Sequence, residues 1–204
     1  MKTLKKLILS AAILAASSTA FASVGPAPYT NVGHVNPDTY SFTAAHTGTL
    51  TAYFVGSTAS YTEVLGLNVN GVDTGIWGLQ NHTSSYGQAL SFGSVNAGDS
   101  LVFKAYVLTT NKTYFSTPGM NPDGLNHIYS HSYSGDSLVP AGTYVAFEDL
   151  FNGGDLNYHD LNFVFTNVSS ATPIPAALWL FGTGIAGLVS ASKRRKTGIS
   201  SVAA

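Results

Sequence analysis

Apolar residues recur every second position through the middle of this chain, and no helical period interrupts them between residues 23 and 171. Leu50, Ala52 and Phe54 fall on one face of such a segment, and Thr49, Thr51 and Tyr53 on the other. Leu65, Leu67 and Val69 alternate up to Asn70-Gly71, a dipeptide suited to the positive φ angles of a two-residue hairpin turn. Leu90 and Phe92 follow, then a turn over Asn96-Ala-Gly-Asp99. Leu101, Phe103, Ala105 and Val107 share the next face, which leaves Lys104 pointing outward. Val145 and Phe147 come after Pro140-Ala-Gly142, and Leu161, Phe163 and Phe165 close the series. Short alternating strands between Gly and Asn turns predict an all-β fold, an antiparallel β-sandwich or jelly-roll-like single domain over residues 23–171. Two longer loops are expected, Thr74 to Gln88 and Thr109 to Asn126. The first holds Trp77, which could stack on a sugar ring if exposed; an indole tucked under its own loop is the commoner arrangement.

Charge is distributed as unevenly as hydropathy. All ten acidic residues lie between Asp38 and Asp160, where the basic residues are only Lys104 and Lys112, so this region carries −8. A domain that acidic does not bind nucleic acid by neutralising phosphates. The chain has 204 residues and no cysteine, which excludes a disulfide scaffold, a thiolate metal site and a cysteine nucleophile.

The other seven basic residues sit at the two ends. Lys2, Lys5 and Lys6 precede an apolar run from Leu7 to Ala16 and the box Ala20-Phe21-Ala22. This is the pattern of a signal peptide over residues 1–22, handled by the Sec translocon and cleaved after Ala22. Its apolar run covers about 15 Å as a helix, too short for a bilayer core of about 30 Å. Near the other end, residues 176–192 form 17 uncharged positions, a length at the lower limit for a membrane helix. Lys193, Arg194, Arg195 and Lys196 follow directly and would stay on the cytoplasmic side, leaving the acidic domain outside.

Thr172-Pro-Ile-Pro-Ala176 stands just before this span. Proline pair, apolar helix and basic cluster in that order resemble the PEP-CTERM sorting signals, most closely the variant with a Val-Pro-Leu-Pro-Ala core. Pro173, Pro175 and Ala176 match that core, and Thr172 and Ile174 depart from it. The resemblance covers residues 172–196, within a sorting segment taken as 172–204. It implies recognition by an exosortase, transient anchoring in the membrane before processing, and a Gram-negative host that makes extracellular polysaccharide. The implied location is secreted or in the cell envelope, among exopolysaccharide or biofilm components.

The densest polar stretch runs from Glu148 to Asp160 and lies between two apolar strands. Calcium takes six to eight oxygens from carboxylates, amide carbonyls and backbone carbonyls. Glu148, Asp149, Asp155, Asn157 and Asp160 supply such oxygens, and Gly153-Gly154 lets the backbone turn sharply between them. A solvated acidic turn is the alternative. The run from Ala146 to Phe165 is similar to the closing motif of domain-of-unknown-function family 4114, through Glu148, Asp149, Gly153, Gly154, Asp155, Tyr158 and Asp160. Asn121-Pro-Asp-Gly-Leu-Asn-His127 also resembles a segment of that family, so the likeness spans residues 118–168. Asn157 stands where the family usually has Asp, and His159 where it has Asn, which implies a weakened calcium site. The resemblance attaches no enzyme activity.

The alternation Tyr129, His131, Tyr133 predicts a strand. His127 and His131 would then lie about 13 Å apart, too far to share one zinc ion. No hydrolase elbow, zinc-protease helix or phosphate-binding loop is present. Adjacent Glu148 and Asp149 are expected to point to opposite faces of a strand, so that they cannot act together as a glycosidase pair. The sequence therefore points to a non-enzymatic module of the envelope or polysaccharide matrix, with a structural or binding role and calcium as its cofactor. The alternatives are a lectin-like carbohydrate binder and an extracellular glycan-active enzyme.

Overall fold

The alternating segments become strands of two facing sheets. A computed structural model describes residues 28–171. In it the strands are β1 (Ser41–Ala44), β2 (Gly48–Gly56), β3 (Glu63–Val69), β4 (Val72–Gly78), β5 (Ala89–Val95), β6 (Ser100–Val107), β7 (Lys112–Phe115), β8 (Ile128–Tyr133), β9 (Gly142–Phe147), β10 (Leu161–Thr166) and β11 (Val168–Ala171). Among the described residues the helical content is two 3₁₀ turns, Pro118–Met120 and Phe151–Gly153, and no helix is long and apolar enough to cross a membrane. Ala20 and Ala22, and the tail from Pro173 to Lys196, lie outside the described residues.

Every strand pairing is antiparallel. One sheet has the order β11-β1-β6-β3-β4, and β7 continues along the β6 edge that β1 begins. The other sheet has the order β5-β2-β10-β9-β8. Asn70 and Gly71 both have positive φ, 50° and 80°, and close the β3–β4 hairpin as their types require.

The core lies between the sheets. Leu65, Leu67 and Phe103 from one sheet meet Leu50, Ala52, Phe163 and Phe165 from the other. Phe103 stacks on Phe165 with 3.9 Å between ring centroids, and Phe42 of β1 leans on Phe103 at 5.0 Å. Each such side chain, fully buried, contributes about 1.5–3 kcal/mol. A second apolar layer covers the outer face of β9 and β10, where Tyr144, Ala146 and Val164 pack with Tyr29, Tyr133, Val139 and Tyr158. With both faces covered, β10 is buried along nearly its whole length.

Three expectations need correction. Lys104 does point away from the core, but it is not solvated: Trp77 and Asp73 cover it. The expected loop from Thr74 begins as strand β4, so Trp77 lies on a sheet face and not in a loop. The expected loop from Thr109 contains β7, whose four residues pair with the second half of β6.

Candidate metal centre

Strands β9 and β10 run side by side, and Phe147 at the end of β9 pairs with Leu161 at the start of β10. Glu148 and Asp149 follow directly after β9, and Asp160 directly precedes β10. Glu63 opens β3 in the facing sheet. Four carboxylates thus gather at one end of the sandwich. Glu148, Asp149 and Asp160 present oxygens that lie within 4.8 Å of one another. Here the expectation that Glu148 and Asp149 diverge fails, because β9 ends at Phe147 and the backbone leaves the pleat before either acid.

All four carboxylates are buried, with Glu63 0% and Glu148 1% exposed. Among the described residues, no hydrogen-bond donor reaches either carboxylate oxygen of Glu63 or of Glu148. Asp160 Oδ2 accepts one bond, from the Asp149 backbone N–H at 3.2 Å. Burial pushes the Glu63 carboxyl far above the ordinary glutamate range, and the neighbouring Asp149, Asp160 and Glu148 push it further. Glu148 is raised in the same way by burial and then by Asp160, Asp155 and Asp149. Asp160 is raised by burial and by Asp149, against the hydrogen bond from the Asp149 backbone.

The connection between β9 and β10 is tightly wound. Asn152, Gly153, Gly154, Leu156 and Tyr158 all have positive φ, and for bulky Leu and Tyr that is a strained conformation. Gly154 is required sterically, since a Cβ there would lie 2.7 Å from Glu148 Oε1. Two neighbours hold the acids in place. His127 donates from Nδ1 to the Glu148 carbonyl at 2.9 Å, and its own carbonyl accepts the Glu148 N–H at 2.9 Å. Its ring stacks on Tyr114 at 4.1 Å, and Nε2 meets the Asp123 carboxylate at 2.9 Å. Asp123 also accepts the Asn152 N–H at 2.8 Å, tying its loop to the β9–β10 connection. Burial opposes charge on Asp123, but the bonds from His127, Asn152 and Leu125 hold its carboxyl below the usual range. On the other side, Asn81 Oδ1 accepts the Glu63 N–H at 3.0 Å, and Asn81 Nδ2 donates to the Tyr61 carbonyl at 2.7 Å.

The model of a domain of unknown function (DUF4114) matches residues 43–167. This chain belongs to that family. The match reaches well beyond the segment 118–168 and takes in β2 through β10, so the DUF4114 domain includes Glu63 as well as the acids of the β9–β10 connection. Comparison with curated proteins and with solved structures finds no match.

Of the five acidic-loop residues singled out in the sequence, the DUF4114 fold brings Glu148, Asp149 and Asp160 together. Asp155 is exposed at the rim, and its carboxylate accepts a bond from Asn157 Nδ2 at 2.6 Å. Asn157 Oδ1 accepts the His159 N–H at 3.0 Å, so its carboxamide shapes the loop. Sequence reasoning passed over Glu63, which lies 85 positions before Glu148. A signal was present, because Glu63 shares the core-facing register of Leu65, Leu67 and Val69, and an acid there has to be compensated. Glu63 and Glu148 are also the only glutamates in the chain. Both ring nitrogens of His127 are engaged within the DUF4114 domain, in keeping with the reading against a zinc pair with His131. Trp77 is 39% exposed, rests edge-on against Tyr106 at 6.0 Å, and covers Lys104 Nζ at 4.4 Å.

Proposed function

We propose that this DUF4114 domain is a calcium-stabilised β-sandwich module of the cell envelope or extracellular polysaccharide matrix, with a structural or binding role. One observation carries the calcium reading: two buried glutamates have four oxygens that no donor reaches, beside two buried aspartates. Burying ionised carboxylates without compensation costs several kcal/mol each. A bound cation removes that cost. The donor set is all oxygen, with no imidazole or thiolate, which favours calcium or magnesium over zinc. An irregular connection that supplies carboxylates from several directions suits calcium, whereas magnesium demands a tight octahedron and keeps its waters. The departure at Asn157 does not weaken this site, because Asn157 is turned to Asp155 and His159.

Export and sorting rest on the sequence. The box at Ala20 and Ala22 supports export through the Sec translocon, and Pro173, Pro175, Ala176 and the cluster Lys193–Lys196 support recognition by an exosortase. Replacing Pro173 and Pro175 with Ala tests the sorting reading. In the native host that variant should accumulate unprocessed, while wild-type-like processing would refute recognition at these prolines.

Equilibrium dialysis of the full chain tests the metal reading. Calcium should bind with a Kd at or below about 10⁻⁴–10⁻³ M, the range of extracellular modules, and magnesium more weakly. Equal, weak retention of both ions would leave a buried acid cluster neutralised by protons.

A further inference from the structure

We propose that the outward side of this centre is a saccharide subsite, in which a calcium ion held by Glu148, Asp149 and Asp160, with Glu63 buried behind them, binds the vicinal hydroxyls of a neutral sugar. The inference rests on the calcium reading and adds what that ion is for.

The acids do not lie under a sealed surface. A cavity of about 330 Å³ opens above them, between the β2–β3 connection and the β9–β10 connection. That volume is at the small end of the range for ligand sites and suits a single sugar ring. Asp149 and Asp160 line its floor together with Glu148, and Thr58, Ser60 and Tyr61 form one wall. Glu63 approaches from the interior and does not line the cavity. The ion would therefore be held from below and beside, and would be open on one side only.

Coordination arithmetic follows from that geometry. Calcium takes six to eight oxygens, so three carboxylates giving one oxygen each leave about three to five positions. Those positions face the cavity, because protein fills the other directions. A vicinal diol supplies two neutral oxygens at a spacing that fits adjacent positions on one ion, and it replaces two waters at once.

Charge selects the class of sugar. Three carboxylates around one dication leave one negative charge, and Asp155 adds another at the rim. Uronic acids and other anionic sugars are repelled, whereas neutral hexoses are not. Tyr61 and Leu150 line the same cavity and offer apolar surface to the C–H face of a pyranose ring.

The test is calorimetric titration of the full chain, kept soluble in a detergent that carries no sugar. Calcium is titrated first; then mannose, glucose, galactose and glucuronate are titrated in calcium and again in chelator. At least one neutral hexose should bind in calcium with a Kd of about 1 mM, and its affinity should fall at least about tenfold in chelator. Glucuronate should bind about tenfold more weakly than that hexose. Tyr61→Ala should keep the calcium isotherm within about twofold and lose about tenfold in sugar affinity. Calcium binding with no response to any of the three hexoses would overturn the subsite and leave the metal reading intact. Sugar binding that is unchanged by chelator would also overturn it, by placing the sugar elsewhere. No calcium binding would defeat both readings.

Discussion

Lys104 and Glu63 stand on neighbouring strands of one sheet, and both are ionisable side chains that the fold buries. Lys104 Nζ has Asp73 at 2.6 Å and the Trp77 ring at 4.4 Å. Gly66, its partner across the ladder, leaves room for both the indole and the lysine stem; a Cβ there would lie 2.6 Å from the indole and 2.8 Å from Lys104 Cε. Glu63 has no donor on either oxygen, and its charged neighbours are three more acids. The lysine's charge is compensated from inside the fold, so that site is complete as it stands. The acids are not compensated from inside the fold, and the proposed calcium ion would supply that compensation. The comparison also narrows what Trp77 can do, because one face of its indole is already occupied by Lys104.

Removing Asp73 should make the first site resemble the second. Asp73→Ala leaves the Lys104 ammonium with the indole alone, and is expected to cost about 1–3 kcal/mol in urea unfolding. Adding Lys104→Met should recover most of that loss, since the methionine fills similar space without the charge. Neither change should alter calcium affinity. If Asp73→Ala costs nothing, Lys104 is not compensated where the geometry places it.

The pH dependence should separate the two sites next. In chelator, Glu63, Glu148 and Asp160 have folded-state pKa values above the ordinary 4.5 and 3.8. The folded state then holds protons that the unfolded state has released, so stability should fall as pH rises above about 4.5. Saturating calcium should flatten that fall, because the ion competes with those protons. Asp73 behaves in the opposite sense. Its hydrogen bond from Lys104 holds its pKa below 3.8, so its contribution is present above that value and is lost as pH falls. Thermal melts from pH 2 to 8, with and without calcium, check both signs. A chelator curve that rises with pH would contradict the burial of uncompensated acids.

The smallest expected effects come from two glycines. Gly154→Ala puts a Cβ against Glu148 Oε1 at a residue with φ of 48°, and should cost about 1 kcal/mol and weaken calcium binding severalfold. Gly66→Ala should disturb Trp77 and Lys104 and leave calcium binding unchanged. Matched calcium titrations of the two variants check the separation. Equal effects on calcium binding would mean that the two sites are coupled.

The same contrast explains what could be read from the sequence. Strands β2, β3, β6, β9 and β10 are legible because each puts alternate apolar residues into the core. Strands β1, β7 and β11 have four residues each, too few for a period to show. Trp77 reads as loop because Gly75 and Gly78 flank a short apolar pair, yet β3 pairs with that segment all the same. Within the acidic cluster, three acids are legible because they crowd one connection. Glu63 comes from the facing sheet, and only its register beside Leu65 and Leu67 marks it. Asp155 and Asn157 look like ligands by spacing, but the strained turn directs the Asn157 carboxamide to its own loop.

Thermal melting of wild type and Glu148→Gln, each in chelator and in 10 mM calcium, tests the central claim most directly. With a Kd of about 10⁻⁴ M, calcium should stabilise the wild type by ~2.7 kcal/mol, a rise of several degrees in Tm. Glu148→Gln should lose most of that rise, yet melt no lower than wild type in chelator, because one buried carboxyl beside other acids is gone. A Glu148→Gln protein that keeps the full calcium response, or a wild type that shows none, would contradict a cation held by Glu148, Asp149 and Asp160.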